Sequence, residues 1–129
     1  LLNTWSDENF TNKTSFHFIE IPIVIAIYLE RKTDNNEINY KQIDIMQYIK
    51  FNNNNNEEQK NLEWQIHSII CYKYATHPYY YAIINYNNNW FIFDNKLYPS
   101  LQKIDIKQDE IKNKIQQECV MLFYKLSNT

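Results

Sequence analysis

The chain has 129 residues, 44% hydrophobic and 22% charged, with a formal charge of -2; this suffices for one domain or part of one and leaves no basic footprint for nucleic acid. It contains no glycine, which excludes a Gly-rich phosphate loop, and its two cysteines, Cys71 and Cys119, form neither a disulfide framework nor the CxxC pairs of a thiol zinc site. No metal or cofactor is therefore expected, and the thiols point to a reducing, intracellular compartment, cytoplasm or nucleus.

Abundant Asn, Lys, Ile and Tyr beside scarce Ala and Arg read as the codon bias of an AT-rich genome. An aromatic share of 16% favours strands over helices. Residues 1–14 are polar and irregular. The run Ile21-Pro22-Ile23-Val24-Ile25-Ala26-Ile27-Tyr28-Leu29 is too short to span a bilayer, where about 20 apolar residues are needed, so no membrane association is expected. Its β-branched side chains predict a central strand buried on both faces, with Pro22 at its start. Thr33 to Asn36 reads as a turn. Ile43, Ile45 and Ile49 predict one or two short strands between Glu37 and Lys50.

The low-complexity segment 52–61 predicts an exposed, flexible Asn-rich loop. Leu62 to Tyr72 predicts a strand in strict alternation, with Trp64, Ile66, Ser68, Ile70 and Tyr72 on one face. Next come two aromatic-rich strands, Tyr79–Tyr86 and Trp90–Phe93, around the turn Asn87-Asn88-Asn89. Asn tolerates the left-handed backbone that tight turns need, so this stretch predicts a β-hairpin. Pro99 to Asp105 predicts a loop or short strand, and Asp109 to Gln117 an amphipathic helix with Ile111 and Ile115 one turn apart. Glu118 to Leu126 predicts a last strand. The whole reads as an α+β fold, mainly antiparallel sheet with a short helix, in a single domain or part of one over residues 1–129.

Five motifs in this order resemble the C-terminal half of the ubiquitin-specific proteases, the papain-like deubiquitinases. The family's Leu-Pro-x-x-Leu strand, ending in Leu-Lys-Arg, is matched by Ile21-Pro22-Ile23-Val24-Ile25 and then Leu29-Glu30-Arg31. Its Tyr-x-Leu strand is matched by Trp64-Gln65-Ile66, and its Gly-His-Tyr-x-Ala box by Pro78-Tyr79-Tyr80-Tyr81-Ala82. Its Trp-Tyr-x-Phe-Asp-Asp segment is matched by Trp90-Phe91-Ile92-Phe93-Asp94-Asn95. Its ending Ala-Tyr-x-Leu-Phe-Tyr is matched by Cys119-Val120-Met121-Leu122-Phe123-Tyr124. The resemblance covers nearly all of Ile19 to Lys125.

The departures carry the functional expectation. Tyr79 stands in the slot of the family's general-base His, and a phenol with a pKa of about 10 takes no proton from a thiol near neutral pH. Pro78 replaces the Gly that lets the ubiquitin tail approach. Asp94 keeps the slot of the acid that orients the base, and Asn95 that of a second polar residue beside the oxyanion. The nucleophile would belong to an Asn-x-Cys-Tyr box in the family's N-terminal half, upstream of this chain. The resemblance thus implies a catalytically inactive relative acting as a ubiquitin- or protein-binding scaffold. Pro78, Tyr80 and Trp90 are its binding residues, and the N-terminal half of its own domain is among its partners. One alternative is an active thiol-dependent deubiquitinase with His77, two residues from Tyr79, as displaced base. Another is an unrelated β-rich interaction module, in which Tyr79 is a strand aromatic and Asp94 a turn residue. His17 and His67 are expected to be structural, and Cys71 and Cys119 inert core thiols.

Overall fold

A computed structural model of the chain describes residues 19–50 and 62–127. The strands in it are β1 (Val24–Tyr28), β2 (Tyr48–Lys50), β3 (Glu63–Lys73), β4 (Tyr79–Tyr86), β5 (Asn89–Phe93), β6 (Leu101–Ile104) and β7 (Cys119–Leu126). Among the described residues one helix, α1 (Asp109–Glu118), stands between β6 and β7. The sheet order is β1-β7-β3-β4-β5-β6, with β2 paired to β3. The registered pairs are antiparallel, so the expected α+β class is the observed one. The Asn-rich segment 52–61 and His17 lie outside the described residues.

The described residues divide into two compact units, 19–25 with 46–50, 62–66 and 124–127, and 26–45 with 67–123. In the first, β2 lies on the start of β3 with Ile49 opposite Trp64. Ile49, Trp64, Ile66 and Tyr124 are buried together as its core. Their polar atoms are satisfied as burial demands: the Trp64 indole donates to the Pro22 carbonyl at 2.9 Å, and the Tyr124 hydroxyl to the Met46 carbonyl at 2.6 Å.

The second unit is built on the hairpin. β4 and β5 pair from Ala82 opposite Phe93 to Tyr86 opposite Asn89, which narrows the expected three-residue turn to Asn87-Asn88. Both have positive φ, 49° and 62°, as a two-residue type I′ turn requires. Because side chains alternate along a strand, the register gathers Ile69, Cys71, Tyr81, Ile83 and Ile92 on one face, and all five are buried. The other face carries Tyr72, Tyr80, Ala82, Phe91, Phe93 and Leu101, none of them buried. α1 starts with Asp109 and Glu110, carboxylates that suit a helix N-terminus, and buries Ile115.

Two expectations are corrected and one, the one or two short strands between Glu37 and Lys50, is narrowed to β2. Among the described residues the apolar run around β1 is an edge strand and not a central one. β1 ends the sheet order, its residues alternate between exposed and half-buried, and Val24 and Tyr28 are exposed. An unbroken apolar run does not distinguish an edge strand from a central one, because chain topology decides which strands acquire a second neighbour. Of the isoleucines between Glu37 and Lys50, only Ile49 lies in a strand. The carbonyls of Asn39 and Lys41 are taken by Arg31, which ties that backbone to a side chain instead of a ladder. Strict alternation also fails along β3, where the buried positions are Trp64 and Ile66 and then Ile69 and Cys71.

Candidate functional site

Tyr79 begins β4, and Asp94 directly follows β5. The Asp94 amide continues the ladder by donating to the Ser100 carbonyl at 2.8 Å. With Ala82 opposite Phe93, the next inward position on the β5 side falls beside Tyr81. Tyr79 is then its diagonal neighbour, a separation that long aromatic side chains bridge. The Tyr79 hydroxyl donates to Asp94 Oδ2 at 3.3 Å. Asp94 is 2% exposed, and its Oδ1 accepts the Lys96 backbone N–H at 2.9 Å, the turn geometry typical of Asp. The Tyr79 phenol is pushed above its usual pKa, first by burial and then by the charge and hydrogen bond of Asp94. It is a proton donor at this position and no base.

The neighbouring residues on this face are polar. Lys73 pairs directly with Tyr79 across β3 and β4, and its ammonium lies 3.5 Å from Glu118 Oε2 at the end of α1. Oε1 of the same carboxylate accepts the Tyr81 hydroxyl. The Lys96 ammonium sits 5.8 Å from the centre of the Tyr79 ring and that of Lys114 5.0 Å from the Tyr81 ring, both within cation–π range. Burial, followed by the adjacent Cys71 and the bond to Glu118, pushes the Tyr81 phenol far up.

The remaining residues singled out from the sequence are dispersed. His77 is exposed in the bend between β3 and β4, outside the strand, and among the described residues no hydrogen bond or ion pair involves it. Because β4 begins at Tyr79, His77 does not share a strand face with it. Pro78 and Asn95 are exposed at either side of the Tyr79–Asp94 pair, Tyr80 is exposed on the opposite face, and Trp90 is half-buried far along the hairpin. His67 is exposed and contacts Ser68 Oγ at 3.3 Å. Cys71 and Cys119 are both buried, and burial raises both thiols, which leaves no reactive thiolate. Among the described residues no cluster of three or more His, Cys, Asp or Glu side chains could hold a metal, and no helix is long and apolar enough to cross a membrane.

Sequence reasoning gave Arg31 no role. It is 5% exposed, and its guanidinium donates to the carbonyls of Cys119 (2.7 Å), Gln116 (2.7 Å), Lys41 (2.9 Å) and Asn39 (3.1 Å). A cation at a helix C-terminus, with its fork turned on the last carbonyls, suits the helix dipole. It fixes the end of α1, where Glu118 faces Tyr81 and Lys73. The scarcity of arginine in an otherwise lysine-rich chain was the available signal.

No protein-family model matches the chain. It is 26% identical over 113 residues to the probable ubiquitin carboxyl-terminal hydrolase 8 of Schizosaccharomyces pombe, in a match that covers 83% of this chain and 23% of that protein. Among solved structures it resembles a SAGA Ubp8/Sgf11/Sus1/Sgf73 DUB module, with a TM-score of 0.60 and 19% identity over 82% of this chain and 24% of the other. It also resembles such a module bound to monoubiquitin, with a TM-score of 0.59 and 17% identity over 88% of this chain and 29% of the other. At these identities the structural likenesses establish the fold. The chain spans about a quarter of the length of the relatives it matches. Motif order and fold agree: the chain resembles the C-terminal half-domain of the papain-like ubiquitin-specific protease fold.

Proposed function

We propose that this chain is part of a single ubiquitin carboxyl-terminal hydrolase-like domain that does not cleave and serves as a ubiquitin- or protein-binding scaffold. The carrying observation is the hydrogen bond from Tyr79 to the buried Asp94. Asp94 holds the place from which an acid would orient a base, and the group it orients is a phenol whose pKa is driven further from neutrality. General-base catalysis needs a group whose pKa lies near the working pH. Asn95 beside it has an oxyanion to stabilise only if a reaction occurs.

Binding does not require the base. The half of the sheet that carries Tyr72, Tyr80, Phe93 and Leu101 presents an apolar face, with Tyr80 67% exposed and Leu101 53% exposed, and such patches mark interaction surfaces. In this reading an upstream part of the same domain or a protein partner covers it. The relatives' assembly with Sgf11, Sus1 and Sgf73, and the monoubiquitin bound to one of them, support partners of both kinds. Pro78 and Tyr80 flank the Tyr79 position and Trp90 lies along the hairpin; these residues would contribute contacts, not chemistry.

The test is to treat the full-length protein with ubiquitin bearing a C-terminal thiol-reactive group and to read intact mass, with His77→Ala alongside. The expected result is no adduct from a folded protein that still binds ubiquitin. An adduct on the wild type that disappears in His77→Ala would overturn the inactive reading and make His77 the base of an active deubiquitinase.

A further inference from the structure

We propose that Tyr72 and Tyr80 form a site of oxidative modification, at which a small one-electron oxidant couples their phenol rings through a carbon–carbon bond. The proposal goes beyond the scaffold reading and does not rest on it. Register sets the two residues directly opposite each other on β3 and β4, and their ring centroids lie 4.8 Å apart at an interplanar angle of 61°. The Tyr74 ring lies 4.3 Å from that of Tyr72, and the Tyr40 ring 5.1 Å from that of Tyr74, both edge to face. Four phenols thus form one chain of ring contacts. Arg31 holds Tyr40 in it, since the guanidinium takes the carbonyls on either side, those of Asn39 and Lys41.

None of the four rings is buried, and with Tyr80 67% and Tyr40 49% exposed, an oxidant in solution reaches both ends of the chain. Among the described residues no hydrogen bond holds any of the four hydroxyls, so each can release its proton to water as its ring loses an electron. Tyr79 and Tyr81 differ. Each ring has a lysine ammonium near it, Lys96 at 5.8 Å and Lys114 at 5.0 Å, and a cation there opposes removal of an electron. Tyr98 is 99% exposed but has no ring contact among the described residues.

The step balances as two one-electron oxidations. Each phenol gives one electron to the oxidant and its hydroxyl proton to water. The two phenoxyl radicals join at ring carbons ortho to their oxygens, and each joined carbon passes its hydrogen to its own ring's oxygen, restoring the aromatic rings. The product has lost two hydrogen atoms. Exposed side chains reorient on the order of nanoseconds, so the Tyr80 ring can turn its edge to Tyr72. The bond ties off the 73–79 segment at its base and fuses two rings of the exposed sheet face into one rigid unit.

The experiment illuminates dilute full-length protein with ruthenium tris-bipyridine and persulfate, the persulfate accepting the two electrons as it splits to sulfate. Intact mass, blue dityrosine fluorescence and tandem mass spectrometry of tryptic peptides are read. The expected product is a monomer lighter by two hydrogen atoms, with its cross-link mapped to Tyr72 and Tyr80 on peptides separated by cleavage at Lys73. Tyr80→Phe, checked for folding by circular dichroism, should abolish that product, because a phenyl ring forms no phenoxyl radical. Tyr74→Phe and Tyr98→Phe should both retain it. A folded protein that gives only intermolecular dimers would overturn the proposal. So would a fluorescent monomer whose yield is unchanged in Tyr80→Phe, or a cross-link mapped to Tyr72 and Tyr74.

Discussion

The Tyr79 hydroxyl and Asp94 Oδ2 lie 3.3 Å apart across the open end of the hairpin, joining the first residue of β4 to the residue after β5. The pairing follows from register: a type I′ turn at Asn87-Asn88 fixes which residues of β4 and β5 face each other, and the inward alternation then brings Tyr79 and Asp94 together. An acid is thus held in place by backbone geometry whatever residue precedes it on β4.

Replacing Tyr79 by His should accordingly create an imidazole–carboxylate pair with no other change. A buried carboxylate beside an imidazole favours its charged form, so the introduced ring should titrate above the ordinary value of about 6.5. NMR titration of the Tyr79→His ring resonances in the wild-type and Asp94→Asn backgrounds measures this. A ring that titrates identically with and without the Asp94 carboxylate would contradict the geometry.

Arg31 should be among the least replaceable side chains in the chain. Its four carbonyl acceptors come from α1, β7 and the segment after β1, and all would lose the guanidinium together, Gln116 keeping the Ile43 N–H. A buried acceptor left unsatisfied costs about 1–3 kcal/mol. Arg31→Met, similar in length but without donors, should lower unfolding stability by roughly 3 kcal/mol or more. Arg31→Lys should recover only part of this, since one ammonium cannot reproduce the fork. Urea denaturation of the three proteins gives the comparison; a loss below 1 kcal/mol in Arg31→Met would show that the carbonyls find other donors.

The hairpin, the helix and β7 were legible in the sequence because each carries a local signal: an Asn turn between aromatic runs, a 3.6-residue period, and a β-branched and aromatic run. Tyr79 and Asp94 were legible only through family resemblance, since nothing local marks a tyrosine and an aspartate 15 positions apart as partners. Glu118 was not legible at all, and of Arg31 only its rarity and its place in a motif were, not its role. Their roles consist of contacts with residues as far as 88 positions away, and such contacts leave no local pattern. The edge position of β1 was misread for a related reason: burial belongs to topology, and an isoleucine-rich segment is the same in either place.

The turn itself yields a graded prediction. Asn88 has φ 62°, in the left-handed region, which a side chain branched at Cβ enters at a cost of roughly 1–2 kcal/mol. Asn88→Val should lower the urea midpoint accordingly and broaden the amide signals of β4 and β5. Asn88→Gly should be neutral or mildly stabilising, because Asn-Gly suits this turn. The reverse order of the two variants would exclude a type I′ turn in solution.

The buried thiols and phenol set the alkaline limit of stability. The pKa values of Cys71, Cys119 and Tyr81 are all raised in the folded protein, with burial the first cause in each case. In the unfolded chain a cysteine ionises near pH 8.5 and a tyrosine near about 10. The folded state holds these protons where the unfolded state releases them. Stability is therefore fully present below about pH 8.5 and falls as pH rises beyond it, thiols first and Tyr81 later. Each proton retained contributes a slope of about 1.4 kcal/mol per pH unit. Urea titrations between pH 8 and 11 should show the decline. Cys71→Ala should remove about one proton's slope from its thiol portion, and Tyr81→Phe the same from the portion above pH 10, although each variant also loses contacts at neutral pH. The diagnostic is the change of slope and not the offset: a Cys71→Ala profile parallel to wild type would mean that the thiol ionises in the folded chain as it does in the unfolded one, and Cys71 would then have to be reconsidered as a reactive group.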